Sequence, residues 1–356
     1  MDTQKYTVLT RCMTYNHAPY IVDAMNGFCI QETSFPVVSV IIDDASTDGE
    51  QEVIQKYVQE NFNLQDNKVV RREETDDYKL VFAQHNTNKN CFFAVIFLKY
   101  NHYGKKEKRP YYAEWLDAAK YVAYCEGDDY WTDPHKLQKQ VDFMDSHPEY
   151  GFCCHRFKIF EQDEQTFRQE YGHTYYKEGE NLEITKELYL RVWVTQMLTT
   201  MFRQNLYNIA INACREKYHS VRDTYLYYEF LHLGKGISLN HNMGVYRWHQ
   251  GGIAIGQDGY TRYKTGVKIY TNLYKNHPED AILLPKIRYN YERLLRYATF
   301  TKEGFTFLKD SFLYCKTYSQ KIRMVLMFII PPSLFVMPNK IYRNYLRQKC
   351  STSNPL

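Results

Sequence analysis

The sequence predicts an α/β protein with a mostly parallel central sheet flanked by helices, followed by a helical C-terminal region. Three observations predict it. Runs rich in β-branched residues alternate with helical spacing over residues 6–61, acidic clusters stand at the ends of two such runs, and the composition changes character after Gly259.

Tyr6–Thr14 reads as a strand ending in the polar turn Tyr15-Asn16-His17. Pro19 suits the first turn of a helix that runs to about Gln31. Pro36–Asp43 is a β-branched run ending in acids, so it reads as a buried parallel strand. Asp44–Gly49 is a turn, and Glu50–Asn61 places Val53, Ile54, Tyr57 and Val58 at helical spacing. A β-α-β-α start implies right-handed crossovers. Val69-Val70 and Leu80–Ala83 are short strands, Cys91–Tyr100 reads as helical, and Asn101–Pro110 reads as an exposed basic loop. Tyr121–Cys125 is a strand, Pro134 opens a helix through about Ser146, and Gly151–Phe157 is a further strand. Glu161–Gly179 is polar and reads as a loop. Helices are predicted over Leu182–Val194, Asn205–Arg215 and Thr224–Leu233, then a hairpin over Ile237–Trp248 with its turn at Asn240–Asn242.

The chain has 356 residues, 44% of them hydrophobic, enough for a large α/β domain with an appended region. Its formal net charge of +4, from 45 basic and 41 acidic side chains, does not mark a nucleic-acid binder. The 34 tyrosines suit sugar faces, nucleobases or membrane interfaces, or reflect a bias of the source. Nine cysteines, with no CxxC spacing, read as small buried hydrophobes in a reducing compartment, not as a disulfide frame or zinc site. The N-terminus lacks the basic-then-apolar pattern of a signal peptide, and no run reaches the roughly 18 to 20 apolar residues that span a bilayer.

Asp43-Asp44 and Glu126-Gly127-Asp128-Asp129 each follow a predicted strand. Ligands of open parallel sheets bind at that edge, and carboxylates there can hold a divalent cation. Each cluster has a plainer reading. Asp43–Gly49 is also an ordinary turn with capping residues, and Glu126–Asp129 a solvated one.

Four ordered segments resemble family 2 glycosyltransferases. Thr14-Tyr15-Asn16-His17 with Tyr20-Ile21 is similar to the family's TYNHxxYI opening, and Asp43–Gly49 to its DDxSTDG segment. Glu126–Pro134 with Lys136, Leu137 and Gln140 is similar to its EGDDYWTDPxKLxxQ segment, and Val245–Gly252 to its VYRxHxGG segment. The resemblance implies a GT-A-type, Rossmann-like fold over residues 1–255, with 256–356 a helical C-terminal region. It also implies a nucleoside diphosphate sugar donor of uridine type, an inverting transfer and a divalent cation, Mn2+ or Mg2+. By the same resemblance, Thr14, Tyr15, Asn16, Asp43, Asp44, Glu126, Asp128, Asp129 and Arg247 bind the nucleotide sugar, and Asp128, Asp129 and His249 hold the metal. Glu126 replaces the first Asp of the family's DxD element. Val221–Leu226 is similar to the family's GDWPL segment with Arg222 for Gly, which makes Asp223 the base. Asp223 also reads as a helix N-cap, His249 as a structural histidine, and Arg247 as the partner of a buried acid.

The acceptor implied is a saccharide or lipid-linked saccharide of surface-polysaccharide synthesis, which places the enzyme in the cytoplasm, peripheral on the inner face of the membrane. Lys321–Lys349 is an apolar stretch flanked by cations, with Lys340, Arg343, Arg347 and Lys349 at its end. It reads as an element lying on anionic lipid, or as a helical hairpin or dimer contact. Two other functions stay open. A nucleotidyltransferase would show a Gly-rich phosphate loop, and Thr10–Tyr20 has no glycine. A non-catalytic sugar-binding protein would not need Asp128, Asp129 and Asp223 together.

Overall fold

The computed structural model describes residues 5–105, 107–252 and 258–330. The chain divides into two units, Met1–Gln250 and Gly251–Leu356.

Four parallel strands form the centre of the first unit's sheet, in the order Ala119–Tyr124, Tyr6–Thr14, Val37–Asp43, Cys91–Leu98. Every residue of Val37–Asp43 is buried, which explains its unbroken apolar run. The margins are antiparallel. Tyr78–His85 pairs with Cys91–Leu98 on one side. On the other, Met201–Arg203 lies between Ala119–Tyr124 and Tyr150–Glu161. The long strand Lys235–Trp248 then runs parallel to Tyr150–Glu161, with Leu182–Ile184 antiparallel at its outer edge. The helices Ile21–Cys29, Glu50–Asn61 and Lys136–Ser146 pack through Met25 and Phe28, Ile54 and Val58, and Leu137, Val141 and Met144. Each such fully buried side chain contributes about 1.5–3 kcal/mol.

Four predicted elements are corrected. Cys91–Tyr100 is not helical: Cys91–Leu98 is a strand buried on both faces, so its sequence carries neither a two-residue nor a 3.6-residue pattern. Ile237–Trp248 is no hairpin but part of one strand, whose register shifts between Leu239 and Gly244 absorb the Asn240–Asn242 signal. Leu182–Val194 is a short strand followed by the helix Lys186–Arg191, which the Thr185 side chain caps by accepting from Leu188 N. Within Glu161–Gly179, Thr166–Gln169 folds back antiparallel on Lys158–Glu161.

The second unit holds the helices Gly259–Asn276, Leu283–Tyr297, Lys302–Ser311 and Tyr318–Ile329. Asp258, Thr301 and Thr317 cap three of them, the last through a capping box with Gln320. Its core includes Leu283, Ile287, Leu294, Leu295, Met324 and Phe328. No helix among the described residues is long and apolar enough to cross a membrane. The predicted membrane-surface segment is described only as far as Ile330; Lys340, Arg343, Arg347 and Lys349 lie outside the described residues.

Candidate active site

Two loops meet past the ends of the neighbouring strands Tyr6–Thr14 and Val37–Asp43, and a buried acid the sequence did not single out ties them together. Glu50, fully buried, accepts from the Thr14 hydroxyl, from His17 N at 2.9 Å and from Ser46 Oγ at 2.8 Å. Asn16 adopts a left-handed backbone (φ 57°) and its Oδ1 accepts from Thr47 N at 2.8 Å. Thr14 and Asn16 therefore brace the loops, while Tyr15, 43% exposed, leaves its ring free.

Asp43 and Asp44 point to different tasks. Asp43 is fully buried and accepts from Ser46 N at 2.9 Å and Gln51 Nε2 at 3.2 Å. Burial pushes its carboxyl up to about 6 against the pull of these bonds. Asp44 accepts from His102 N at 2.8 Å and pairs with Lys108 at 2.8 Å. The stretch Asn101–Pro110 is thus only partly the exposed loop its composition predicts: His102 is buried and folds this segment over Asp44.

The acidic turn separates its three carboxylates. Asp128 Oδ2 accepts from His249 Nε2 at 3.1 Å and lies 3.8 Å from His17 Nε2. Burial acts to raise the Asp128 carboxyl, but the His249 hydrogen bond and the two imidazoles hold it below its ordinary value. His17, Asp128 and His249 offer one carboxylate oxygen and two ring nitrogens within 4.8 Å of one another, a donor set suited to a divalent transition ion. Asp129 turns the other way, buried, and accepts from Arg247 N at 2.9 Å. Arg247 donates to Asp128 O (2.9 Å), Gln162 Oε1 (2.7 Å) and Asp23 Oδ2 (2.6 Å). Its guanidinium braces the turn and pairs with an acid. Of the residues expected to hold metal, Asp128 and His249 come together, Asp129 does not, and His17 completes the set. The signal for His17 was its place in the turn after the first strand, three residues beyond Thr14.

Gly127 sets how closely the turn packs. A Cβ there would lie 2.1 Å from Thr14 Oγ1 and 2.7 Å from Thr14 Cβ, so only glycine lets the acids reach the first loop. Glu126 accepts from Met13 N at 3.1 Å and lies 3.7 Å from the Arg11 guanidinium. Burial pushes its carboxyl up to about 7; Arg11 opposes this, and the charges of Asp128 and Asp223 add to it.

Glu126 opens into a cleft of about 450 Å3 whose walls include Arg11, Lys108, Tyr124, Glu126, Tyr207 and Asp223. Asp223 is the first residue of the helix Asp223–Leu233; the N-cap position belongs to Arg222. Its carboxylate is open to the cleft with protein mass behind it, and this enclosure raises its pKa against the pull of Arg11. Such a carboxylate can take a proton at the cleft wall. Sequence reasoning missed Arg11, His102 and Lys108, because a cation on a buried strand and two residues of a polar loop carry no pattern of their own.

Residues 74–208 match the family described as Glycosyl transferase family 2. An uncharacterized protein of Mycobacterium tuberculosis is 34% identical over 153 residues, 42% of this chain and 35% of the relative. An uncharacterized protein of Mycobacterium bovis matches to the same extent. The chain thus spans about a third of the length of the curated relatives it matches. Among solved structures, S. aureus TarS 1–349 in complex with UDP-GlcNAc is similar with a TM-score of 0.52 and 16% identity, covering 90% of this chain and 79% of that one. That likeness concerns the fold: a parallel sheet centre with antiparallel margins and flanking helices. The family match contains the Glu126–Asp129 turn, so residues 74–208 are similar to family 2 glycosyltransferases, and the fold is like that of a solved glycosyltransferase-type α/β structure.

Proposed function

We propose that the protein transfers a sugar from a nucleoside diphosphate sugar, of uridine type, to a hydroxyl of a saccharide or lipid-linked saccharide in surface-polysaccharide synthesis. The observation that carries this reading is the meeting of Asp128 with His17 and His249 on the same turn whose Glu126 opens towards Asp223. TarS was solved with UDP-GlcNAc, which supports a uridine donor on a related fold.

Tyr15 packs against the base, and Asp44 accepts from a base N–H once Lys108 is drawn away. Lys108 and Arg11, both on the cleft wall, then face the anionic part of the donor. A divalent cation, Mn2+ or Mg2+, held by Asp128, His17 and His249 would neutralise charge on the departing diphosphate. Asp223 takes the proton of the attacking acceptor hydroxyl, and attack opposite the leaving group inverts the anomeric carbon. Asp129 and Arg247 hold the turn in shape.

The experiment is a thermal-shift series with UDP, UDP-GlcNAc and GDP-mannose, each with and without Mn2+. Ligand at 100 times its Kd stabilises the folded state by about 2.7 kcal/mol. The proposal expects a uridine nucleotide to raise Tm only with Mn2+, and His17→Ala to weaken that dependence. Shifts that ignore Mn2+, or no shift with any nucleotide, overturn it.

A second reading concerns location. On the helix Tyr318–Ile329, Tyr318, Ile322, Val325, Leu326 and Ile329 are all exposed and fall at helical spacing on one side. Lys321 stands among them in sequence. We propose that this face lies on an anionic lipid surface.

A further inference from the structure

Four aromatic rings from two distant stretches of the first unit converge next to the candidate acids, and nothing in the mechanism above uses them. Trp193 meets Tyr246 edge-on, with ring centroids 5.6 Å apart at 87°. It also meets Tyr171 at 5.6 Å and 33°. Tyr246 in turn meets Trp248 at 6.3 Å and 82°. The Arg168 guanidinium lies over both Tyr171 (4.9 Å) and Trp248 (5.2 Å), and its charge is met by Glu161. A fixed cation over two rings holds the outer pair in place.

These rings stand at the margin of the core: Tyr246 packs against it and Trp193 meets the buried Phe157 at 5.7 Å, yet none of the four is itself buried. Tyr171 is 53% exposed, and Trp193, Tyr246 and Trp248 are half-buried, whereas Trp115 and Trp131 are buried. The indole N–H of Trp131 donates to Leu198 O at 2.8 Å. Among the described residues, those of Trp193 and Trp248 make no such bond.

Position gives the array its meaning. Tyr246 and Trp248 flank Arg247, whose N donates to Asp129 at 2.9 Å, and Trp248 directly precedes His249, whose ring bonds Asp128 at 3.1 Å, so the array continues from the acidic turn. The cations fit for a diphosphate, Arg11 and Lys108, line the cleft instead. The array's own cation is already paired. A wall of half-exposed rings with free polar tips and little net charge suits a neutral ligand with an apolar C–H face and hydroxyls at its edge. A pyranose ring has that chemistry.

We propose that Tyr171, Trp193, Tyr246 and Trp248 form the platform on which the acceptor saccharide stacks, presenting its hydroxyl to Asp223. This rests on the glycosyl-transfer reading. The platform sets where the acceptor lies, and so which hydroxyl the base meets. Trp193, in contact with both Tyr171 and Tyr246, is the positioning ring at its centre.

The test uses the full chain with Mn2+ and whichever nucleotide sugar shifts its melting temperature, following nucleoside diphosphate release. Octyl glycosides of glucose, galactose, mannose and N-acetylglucosamine serve as acceptors at millimolar concentration. In the wild type at least one glycoside is expected to accelerate release. Trp193→Ala should raise the KM for that glycoside about tenfold, with donor KM changed less than about threefold and Trp193→Phe in between. A donor KM that rises as far as the acceptor KM, no change in either, or no acceleration by any glycoside in a wild type that still consumes donor overturns the platform. A wild type that consumes no donor at all overturns instead the glycosyl-transfer reading.

Discussion

Lys136 offers a sharp test of the physical reading, because its ammonium is fully buried and its Nζ has no hydrogen-bond partner. Among the described residues the ammonium meets the face of Trp131, with its Nζ 3.7 Å from the ring centroid. Burial lowers the ammonium from 10.5 to about 7. At about 1.36 kcal/mol per pH unit, that displacement corresponds to roughly 4–5 kcal/mol against the folded state near neutral pH. The cation–π contact returns about 2 kcal/mol. Lys136→Met keeps the length and removes the charge, so the expected gain at pH 7 is roughly 2–3 kcal/mol. With an unfolding entropy of about 2.1 cal/mol/K per residue, spread over the unit Met1–Gln250, Tm should rise about 4–6 °C. The sign of the pH dependence follows from a base whose folded pKa is depressed. Between about pH 7 and pH 10.5 the unfolded chain holds a proton that the folded chain lacks, so wild-type stability rises with pH across that window. The gap between variant and wild type should therefore narrow towards pH 10. Urea unfolding of both proteins at pH 7, 8.5 and 10 measures it. A variant no more stable than the wild type, or a gap that widens with pH, would refute the reasoning.

Three further outcomes follow from the site and the second unit. Asp223→Asn should cut turnover by about 10²–10⁴-fold while leaving the nucleotide-induced Tm shift in place. Because enclosure raises the Asp223 pKa, wild-type activity should fall as pH drops through that raised value, and pH–rate profiles of the two proteins should differ by this acid limb. Gly127→Ala drives a Cβ into Thr14 and should cost about 1–3 kcal/mol in urea unfolding, together with weaker Mn2+ binding by calorimetry, since Asp128 must move with the turn. Ile322→Ser with Ile329→Ser should reduce co-sedimentation with phosphatidylglycerol vesicles several-fold; equal sedimentation of variant and wild type would remove the lipid-surface reading.

Most of the parallel centre was legible because its strands write themselves plainly: Tyr6–Thr14 and Val37–Asp43 are β-branched, bounded by turn residues and followed by helices with a clear apolar side. Its fourth strand and the outer edge were not. Cys91–Leu98 is apolar on both faces and so carries no period, and Leu182–Ile184 is too short to show one. The register shifts in Lys235–Trp248 look in sequence like a turn, since Asn suits both.

By itself the sequence determined the α/β class and the family resemblance, and that resemblance named Asp128, His249 and Asp223 as site residues. Motifs of that kind survive in sequence because each residue sits at a fixed offset from a strand or helix end. Only the tertiary structure decided which way each side chain faces. It turned Asp129 inward to Arg247 and brought His17 to Asp128. It folded His102 and Lys108 over Asp44, and set Trp193 beside Tyr246 across 53 residues of chain. The physical reason is that side-chain direction at a loop depends on its hydrogen-bond partners, and here those partners come from segments far apart in sequence.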